Sequence, residues 1–387
     1  MLICNGMVFG PGAEFVRGCV RINGDIFEEI SSGDMTPLDH EPVVDAGGGW
    51  VIPGLIDIHL HGCRGYDFGD ATEEALRGIT AYQLRHGVTT ICATTMTMSK
   101  EQILRTLRAV DKFCSADRQE GNPPGAEIAG INLEGPFISP ERKGSQEESH
   151  IKKPDTALLE QFQRAAGNRI RLLDLAPEMD GAMELIRRAS REMTVSIAHS
   201  SADYATAMRA FRSGARHVTH LYNAMSPYEH RAPGIIGAAG DTCGCTVELI
   251  ADGLHVHPSV VRNTFRMFGA ERIVLVSDSM RATGMEDGIY ELGGHTVYVK
   301  GGRALLSDGT IAASVTNLFA CMKKCVQEMG IPLPDAVRCA SVNPAKAAGI
   351  DSQVGSISEG KQADMVILDK ESLDIRMVIQ KGRIVQR

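Results

Sequence analysis

In this sequence of 387 residues, six residues stand at the ends of short apolar runs. Their side chains are of the types that bind metal ions or transfer protons. They are His59, His61, Glu134, His199, His220 and Asp278. A lone histidine is more often a satisfied core residue, but four histidines and a glutamate at matched run ends favour a metal site. Imidazole and carboxylate ligands suit Zn²⁺ or Fe²⁺, with Mn²⁺, Co²⁺ and Ni²⁺ as further choices. These residues predict a divalent metal site.

Asp278 ends the last of these runs and has two interpretations from sequence. It is either the cap of a following helix or a carboxylate that takes a proton from water and then protonates a leaving amine. His217 precedes the apolar residues of its run and is interpreted as structural.

The apolar runs alternate with amphipathic helical stretches over most of the chain. Eight near-continuous apolar strands alternating with helices favour an α/β fold in which a parallel sheet closes into a (β/α)8 TIM barrel. Catalytic groups of such barrels lie at the C-terminal strand ends, so the six side chains should meet at one mouth. His59 and His61 share a face, because residues two apart on a strand point the same way. The predicted strands are LIDIHLHG (55–62), TTICATT (89–95), IAGINLEG (128–135), IRLLDLAPE (170–178), TVSIAHS (194–200), HVTHLYNA (217–224), TVELIADG (246–253) and RIVLVSDS (272–279).

Both ends of the chain are β-like and turn-rich, unlike the middle. The N-terminal end contains LICNGMVFG and CVRINGDIFEEI, and the C-terminal end contains ADMVILD and MVIQKGRIVQR. Neither end could form a stable sheet alone, so together they are expected to form one small β-sandwich. The predicted domains are a β-sandwich built from residues 1–52 and 350–387, and a catalytic barrel over residues 53–349.

Composition and charge exclude several classes of partner. The net charge is −8 and there is no basic patch, which argues against nucleic acid as a partner. No apolar stretch approaches the ~18 residues that a membrane span needs, and the N-terminus lacks signal-peptide features. Ten cysteines without a paired framework indicate buried thiols in a reducing compartment. The expectation is a cytoplasmic protein with no membrane association.

Several longer motifs narrow this interpretation. They are LEGPF (133–137), AHS (198–200), THLYNAMSPYEHRAPG (219–234), DGLHV (252–256) and SDSM (277–280). Together with His59-x-His61 they resemble the amidohydrolase superfamily and, within it, the N-acetylglucosamine-6-phosphate deacetylase family. The resemblance extends over nearly the whole chain, including both β-rich ends. His-x-His alone is not specific, whereas the LEGPF and HLYNAM motifs are.

The resemblance implies roles for the residues of the predicted mouth. Glu134, His199 and His220 match the principal metal site. His59 and His61 match a second-metal pair that only some members have, so one or two ions per chain are implied. Asp278 matches the catalytic acid and base.

The resemblance also implies a substrate site. Its matched residues are Gln146, Asn223, Ala224, Arg231, His255, Ile311, Ala312 and Ala313. Arg231 and His255 match side chains that bind the phosphate and the sugar, and Arg231 acts in its own or in a neighbouring subunit of an expected homodimer. Gln146 stands where some members have a histidine; it can donate a hydrogen bond but cannot carry charge.

The implied activity is hydrolysis of N-acetyl-D-glucosamine 6-phosphate to D-glucosamine 6-phosphate and acetate in amino-sugar catabolism. The same chemistry on N-acetylgalactosamine 6-phosphate stays open. Another amidohydrolase activity on a small amide is disfavoured, because the fourth predicted strand lacks the lysine that many two-metal members carboxylate. A barrel that only binds sugar phosphate is disfavoured because it would need neither Asp278 nor a full ligand set.

Overall fold

The computed structural model describes residues 1–116 and 125–386. The strands of this part of the chain are β1 (Leu2–Phe9), β2 (Phe15–Asn23), β3 (Ile26–Ser31), β4 (Val43–Asp45), β5 (Trp50–Pro53), β6 (Leu55–Leu60), β7 (Gly62–Cys63), β8 (Tyr66–Asp67), β9 (Val88–Thr94), β10 (Glu127–Glu134), β11 (Ile170–Leu175), β12 (Thr194–Ile197), β13 (His217–Val218), β14 (Thr246–Leu249), β15 (Ile273–Leu275), β16 (Gly288–Leu292), β17 (His295–Lys300), β18 (Arg303–Leu305), β19 (Met365–Leu368), β20 (Ile375–Gln380) and β21 (Arg383–Gln386). The α-helices are α1 (Glu73–Arg85), α2 (Lys100–Ala116), α3 (Thr156–Ala165), α4 (Ala182–Ala189), α5 (Tyr204–Ser213), α6 (Gly234–Asp241), α7 (Pro258–Phe268), α8 (Leu318–Gln327), α9 (Leu333–Ala340) and α10 (Val342–Ala347).

Eight parallel strands form the barrel, in the order β6, β9, β10, β11, β12, β13, β14 and β15. A helix follows each of them, from α1 after β6 to α8 after β15. Hydrogen bonds just beyond β15 close the sheet, with Asp278 N 2.9 Å from His59 O and His61 N 2.8 Å from Ser279 O. The predicted (β/α)8 barrel is confirmed.

The barrel strands are buried on both faces, as helix-covered parallel strands must be. Every residue of β6 and of β9 is buried. The lumen below the mouth is apolar, filled by residues such as Ile58, Leu172 and Val274, and Ala345 of α10 packs against them. This apolar plug leaves the upper ends of the strands as the polar part of the lumen.

The two chain ends form a second sheet that is separate from the barrel, as predicted. Its strands run in the order β21, β20, β19, β5, β1, β2 and β3, with β4 paired to β1. Most of these pairs are antiparallel, and β5 pairs antiparallel with β19. Ile3, Phe27 and Met365 belong to the core of this sheet. β5 ends at Pro53, and the division at residues 52/53 and 349/350 stays a prediction.

A three-stranded antiparallel sheet of β16, β17 and β18 follows the last barrel strand and was not predicted. Its buried residues Leu292 and Val297 pack with Met96 and Met280 from the loops after β9 and β15. The insert therefore lies beside the barrel mouth. No helix in the described part of the chain is long and apolar enough to cross a membrane.

Asp364 is buried where the small sheet meets the barrel. The ionisation of its carboxyl makes the stability of this junction depend on pH. Its backbone oxygen accepts from Gly54 N at 3.0 Å. Its carboxylate accepts from Lys381 N at 2.8 Å and from Gln362 Nε2 at 2.9 Å. Burial is the largest cause acting on this carboxyl and raises its pKa to about 6.

We expect Asp364→Asn to relieve a loss of stability at neutral pH. In the folded protein the pKa of Asp364 lies above its ordinary value. The contribution of this carboxyl to the free energy of unfolding is therefore complete below pH ~4, and it decreases by about 2–3 kcal/mol as the pH rises through the folded-state pKa. Asn keeps an acceptor for Lys381 N. Urea unfolding of parent and variant at pH 4.5 and pH 7.5 measures the difference. The variant should gain relative to the parent at pH 7.5, and an equal difference at both pH values would contradict the prediction.

Candidate metal centre

The structure brings all six predicted metal and proton-transfer residues together at the barrel mouth. His59 is within β6, and His61 follows the end of that strand. Glu134 is the last residue of β10, while His199, His220 and Asp278 come two or three residues after β12, β13 and β15. All six are buried. The barrel ends are therefore the elements that position them.

Glu134 lies at the centre of this cluster, which we call the Glu134 cluster (His59, His61, Glu134, His199, His220 and Asp278). Its Oε1 atom is 3.0 Å from His199 Nε2, 3.3 Å from His220 Nε2 and 3.5 Å from His59 Nε2. Its Oε2 atom is 3.3 Å from His61 Nε2. Two groups, His59–His61–Glu134 and Glu134–His199–His220, each have ligand atoms within 4.8 Å of one another. Glu134 belongs to both groups, so it could bridge two ions.

The hydrogen bonds of His199 and His220 favour a cation between them. His199 Nδ1 is 2.9 Å from the Arg142 carbonyl oxygen, and His220 Nδ1 is 3.2 Å from the Asn223 carbonyl oxygen. A carbonyl oxygen only accepts, so each ring carries a proton on Nδ1 and presents Nε2 to the cluster. The two Nε2 atoms are 3.2 Å apart. Two Nε2 atoms that face each other and one carboxylate this closely fit a bound divalent cation.

The carboxylates of the cluster supply its negative charge. Burial disfavours ionisation of Glu134, but the neighbouring histidines outweigh it and hold its pKa well below the usual range. Burial likewise opposes ionisation of Asp278, whereas His61 and His59 lower its pKa. Asp278 Oδ1 is 3.2 Å from His61 Nε2 and 3.7 Å from His59 Nε2. An ionised Asp278 at this position can accept a proton from a molecule held over the cluster.

Three residues of the cluster have a left-handed backbone, which is uncommon for residues other than glycine. The φ angles are 44° at His199, 29° at His220 and 48° at Asp278. Such conformations persist where the surrounding structure holds them. Asp278 N donates to His59 O at 2.9 Å, and His220 N donates to Glu248 Oε2 at 3.0 Å. These bonds direct the side chains into the mouth at the strand ends.

Gln146 is buried against Glu134, and its amide orientation is fixed from both sides. Its Nε2 donates to Glu134 Oε2 at 2.9 Å, and its Oε1 accepts from Thr97 N at 2.6 Å. Because a backbone N–H only donates, the Gln146 oxygen must face Thr97 and its NH₂ group must face Glu134. Gln146 thus restrains Glu134 in this structure, and its role toward a substrate stays a prediction.

Most of the other predicted substrate residues line the same mouth. Asn223 N donates to His220 O at 2.9 Å, and Ala224 O accepts from Ser200 N at 3.1 Å. Asp278 O accepts from Ser314 N at 2.8 Å, which brings Ala313, the last residue of the segment Ile311, Ala312 and Ala313, close to Asp278. Ile311 at the other end of the segment is exposed and pairs with Leu305. Ser145 Oγ also donates to Ala312 O at 2.8 Å.

His255 and Arg231 have different surroundings. His255 Nδ1 is 2.8 Å from Asp252 Oδ2. Burial lowers the pKa of His255, but Asp252 and, more weakly, Asp278 outweigh it, so the net shift is upward. Arg231 is exposed, and within the described residues no contact joins it to the Glu134 cluster. The structure therefore leaves Arg231 apart from the other predicted site residues.

Sequence analysis missed two fully buried carboxylates next to the cluster, Asp174 and Glu248. Glu248 of β14 is fully buried, with Oε2 2.9 Å from His59 Nδ1 and Oε1 3.2 Å from His217 Nε2. His217, interpreted as structural, thus contacts this carboxylate, and its Nδ1 is 2.6 Å from Thr246 Oγ1. The signal was present in TVELIADG, where a glutamate interrupts an apolar strand.

Residues 50–385 match the sequence profile of the amidohydrolase family. The chain belongs to the amidohydrolase family. The superfamily resemblance carried by the motifs is confirmed. The histidines and the glutamate of the Glu134 cluster are the residues that could bind a metal.

Similar proteins within this family carry two related names. The chain is 40% identical over 335 residues to N-acetylglucosamine-6-phosphate deacetylase of Bacillus subtilis (strain 168), covering 86% of this chain and 84% of that protein. It is 33% identical over 358 residues to N-acetylgalactosamine-6-phosphate deacetylase of Escherichia coli O157:H7, covering 92% and 93%. A variant of N-acetyl-D-glucosamine-6-phosphate deacetylase from Mycobacterium smegmatis, solved in complex with N-acetyl-D-glucosamine-6-phosphate, has a TM-score of 0.92 at 32% identity and covers 100% of this chain and 99% of that chain.

We predict that Glu134→Gln lowers the metal content of this amidohydrolase. The substitution removes the charge and one oxygen that both ligand groups share, and we expect at least about a tenfold loss of affinity, in the range known for altered metal surroundings. Elemental analysis after gel filtration without chelators measures ions per chain. Glu184→Gln, at an exposed position of α4, is the matched control. Equal metal content in Glu134→Gln and the parent would refute a site centred on Glu134.

Proposed function

We propose that this chain hydrolyses N-acetyl-D-glucosamine 6-phosphate to D-glucosamine 6-phosphate and acetate, as a step of amino-sugar catabolism. The observation that carries the proposal is the complete Glu134 cluster, with Asp278 Oδ1 3.2 Å from His61 Nε2. The similarity to the Bacillus subtilis deacetylase, over 86% of the chain, supports the choice of substrate.

We propose Zn²⁺ or Fe²⁺ as the metal, because imidazole and carboxylate ligands suit both. Glu134, His199 and His220 would hold the principal ion. His59 and His61 would hold a second one with Glu134 as the shared ligand, which the two overlapping groups of ligand atoms support. When bound, a divalent cation supplies Lewis-acid activation of water and of the amide carbonyl.

Asp278 would move the proton through the reaction. Its pKa is lowered by His61 and His59 against the opposing effect of burial, so the carboxylate starts ionised and takes a proton from the attacking water. The water oxygen bonds to the acetyl carbon, and the carbon–nitrogen bond then breaks. Asp278 returns the proton to the departing amine, which restores the starting carboxylate. The second proton of the former water also passes to the amine, so atoms and charge balance with acetate and the protonated amino sugar as products.

The substrate residues would hold the acetamide over the cluster. His255 has its Nδ1 committed to Asp252 at 2.8 Å, which leaves Nε2 for the sugar. Asn223, Ala224 and the segment Ile311, Ala312 and Ala313 would line the sugar phosphate. We place Arg231 on the phosphate, from its own or from a neighbouring subunit of a homodimer, since an arginine donates bidentate charge-assisted bonds to phosphate. A homodimer and a cytoplasmic location stay predictions.

A second candidate substrate is N-acetylgalactosamine 6-phosphate. The Escherichia coli relative named for that sugar covers 92% of this chain at 33% identity. The two sugars differ only in the orientation of one hydroxyl group, so the same proton transfers would serve both.

We expect the metal-loaded protein to release acetate from N-acetylglucosamine 6-phosphate, and Asp278→Asn to lower kcat by ~10²–10⁴-fold. Steady-state rates on both epimers decide between the two sugars, and higher kcat/KM on the galactose epimer would favour the second candidate. Metal content should be unchanged in Asp278→Asn. A parent that binds these sugars without cleaving them would contradict the proposal, and near-full turnover of Asp278→Asn would require another base.

Arg231→Ala should weaken action on the phosphorylated sugar selectively. A charge-assisted pair of this kind contributes ~1.5–3 kcal/mol, which is roughly ten- to more than a hundredfold in kcat/KM. Unphosphorylated N-acetylglucosamine should be almost unaffected. Arg212→Ala, at an exposed position on α5, is the matched control. An equal loss on both sugars would mean that Arg231 serves folding rather than phosphate recognition.

A further inference from the structure

Glu248 contacts one residue from each of the two ligand groups of the Glu134 cluster. It is 0% exposed, and its Oε2 atom lies 2.9 Å from His59 Nδ1 and 3.0 Å from His220 N. One carboxylate oxygen therefore contacts a ligand of each proposed ion. The other oxygen, Oε1, is 3.2 Å from His217 Nε2.

The first contact determines which nitrogen of His59 faces the mouth. Glu248 Oε2 accepts the backbone N–H of His220, which can only donate. The same oxygen therefore faces His59 Nδ1 as an acceptor, which assigns a proton to Nδ1 and leaves Nε2 as the nitrogen that faces the mouth. His59 Nε2 is buried without a hydrogen-bond partner and lies 3.5 Å from Glu134 Oε1. A carboxylate that bonds to the far nitrogen of a ligand imidazole fixes the orientation of the ring and raises its basicity toward a metal.

The second contact holds the backbone of His220. This residue has φ 29°, a left-handed conformation that a residue other than glycine adopts at a cost. Its N–H donates to Glu248 Oε2, and its Nδ1 is held by the Asn223 carbonyl oxygen. Glu248 thus fixes the main chain from which His220 reaches Glu134.

We propose that Glu248 is a positioning residue of the metal centre, acting through the His59 ring and the His220 backbone. It sets the ring orientation of one ligand and the backbone of another without touching the metal or the substrate. The inference rests on the metal centre of the proposed function and does not depend on which amide is cleaved. The competing interpretation is that Glu248 is only the buried partner of His217.

Two variants separate these interpretations. Glu248→Gln keeps the size and an acceptor oxygen but removes the charge that acts on His59. His217→Gln, the matched control, removes the other partner of Glu248 while leaving its contacts with His59 and His220 in place. If Glu248 acts only through His217, both variants should change metal binding equally.

The measurement is equilibrium dialysis against graded free Zn²⁺, followed by elemental analysis of ions per chain. We expect Glu248→Gln to need ~10–100-fold more free Zn²⁺ for half-occupancy, while His217→Gln stays close to the parent. Isotherms of Glu248→Gln and the parent that coincide would overturn the inference, as would an equal shift in both variants.

A second variant, Glu248→Asp, covers the case in which Glu248→Gln does not fold, and a comparison of metal binding with hydrolysis separates this inference from the proposed substrate. Circular dichroism of the metal-free proteins checks folding, and if Glu248→Gln fails to fold, Glu248→Asp replaces it. The aspartate retains charge but is one methylene too short to reach both His59 and His217, so the same direction of change is expected, and an unchanged isotherm would count against the proposal. If the isotherms separate but no amino-sugar phosphate is hydrolysed, the proposed substrate is wrong and the positioning role of Glu248 stands.

Discussion

The barrel closes where the backbone of Asp278 donates a hydrogen bond to the carbonyl oxygen of His59. A parallel sheet with an open edge would leave main-chain groups without partners, and closure removes that edge. Here the bonds that complete the sheet come from the residues that carry the proposed chemistry. Their relative position is therefore set by the fold itself, and a mobile loop is not needed to assemble them.

The second constraint is charge. Glu134, Asp278 and Glu248 are carboxylates in the upper lumen, all of them buried. Histidines next to each carboxylate offset much of the cost of burial, and a divalent cation would offset more. Because the ligand set forms only when the strands meet, metal binding and folding should be coupled. The apolar plug of Ile58, Leu172 and Val274 keeps this charged layer at the mouth.

The sequence predicted the elements with strong periodicity and the side chains at their ends. β6 and β9 read as near-continuous apolar runs because parallel strands are covered on both faces, and the ligand positions followed from barrel geometry. The insert of β16, β17 and β18 was missed. Its exposed Ile289 and Tyr298 blur the alternation that identifies a half-buried strand.

The contacts of the site were harder to predict than its members. Glu248 was visible as an anomaly within an apolar strand, but its partner His59 is 189 positions away, and spacing along the chain does not encode such a contact. The orientation of the Gln146 amide depends on Thr97 N, 49 positions earlier. Local patterns therefore identified the residue types, while tertiary packing determines which atoms meet.

The antiparallel pairing of β5 with β19 has a consequence for synthesis of the chain. Trp50, the first residue of β5, pairs with Leu368 of β19, and its Nε1 donates to Lys370 O, 320 positions later. At ~5–20 residues per second a ribosome needs roughly 15 s to a minute to make the intervening chain. During that time the edge of β5 has no native partner, and an unpaired edge can associate with another nascent chain. This edge of β5 is therefore open to association with other chains until β19 has been made.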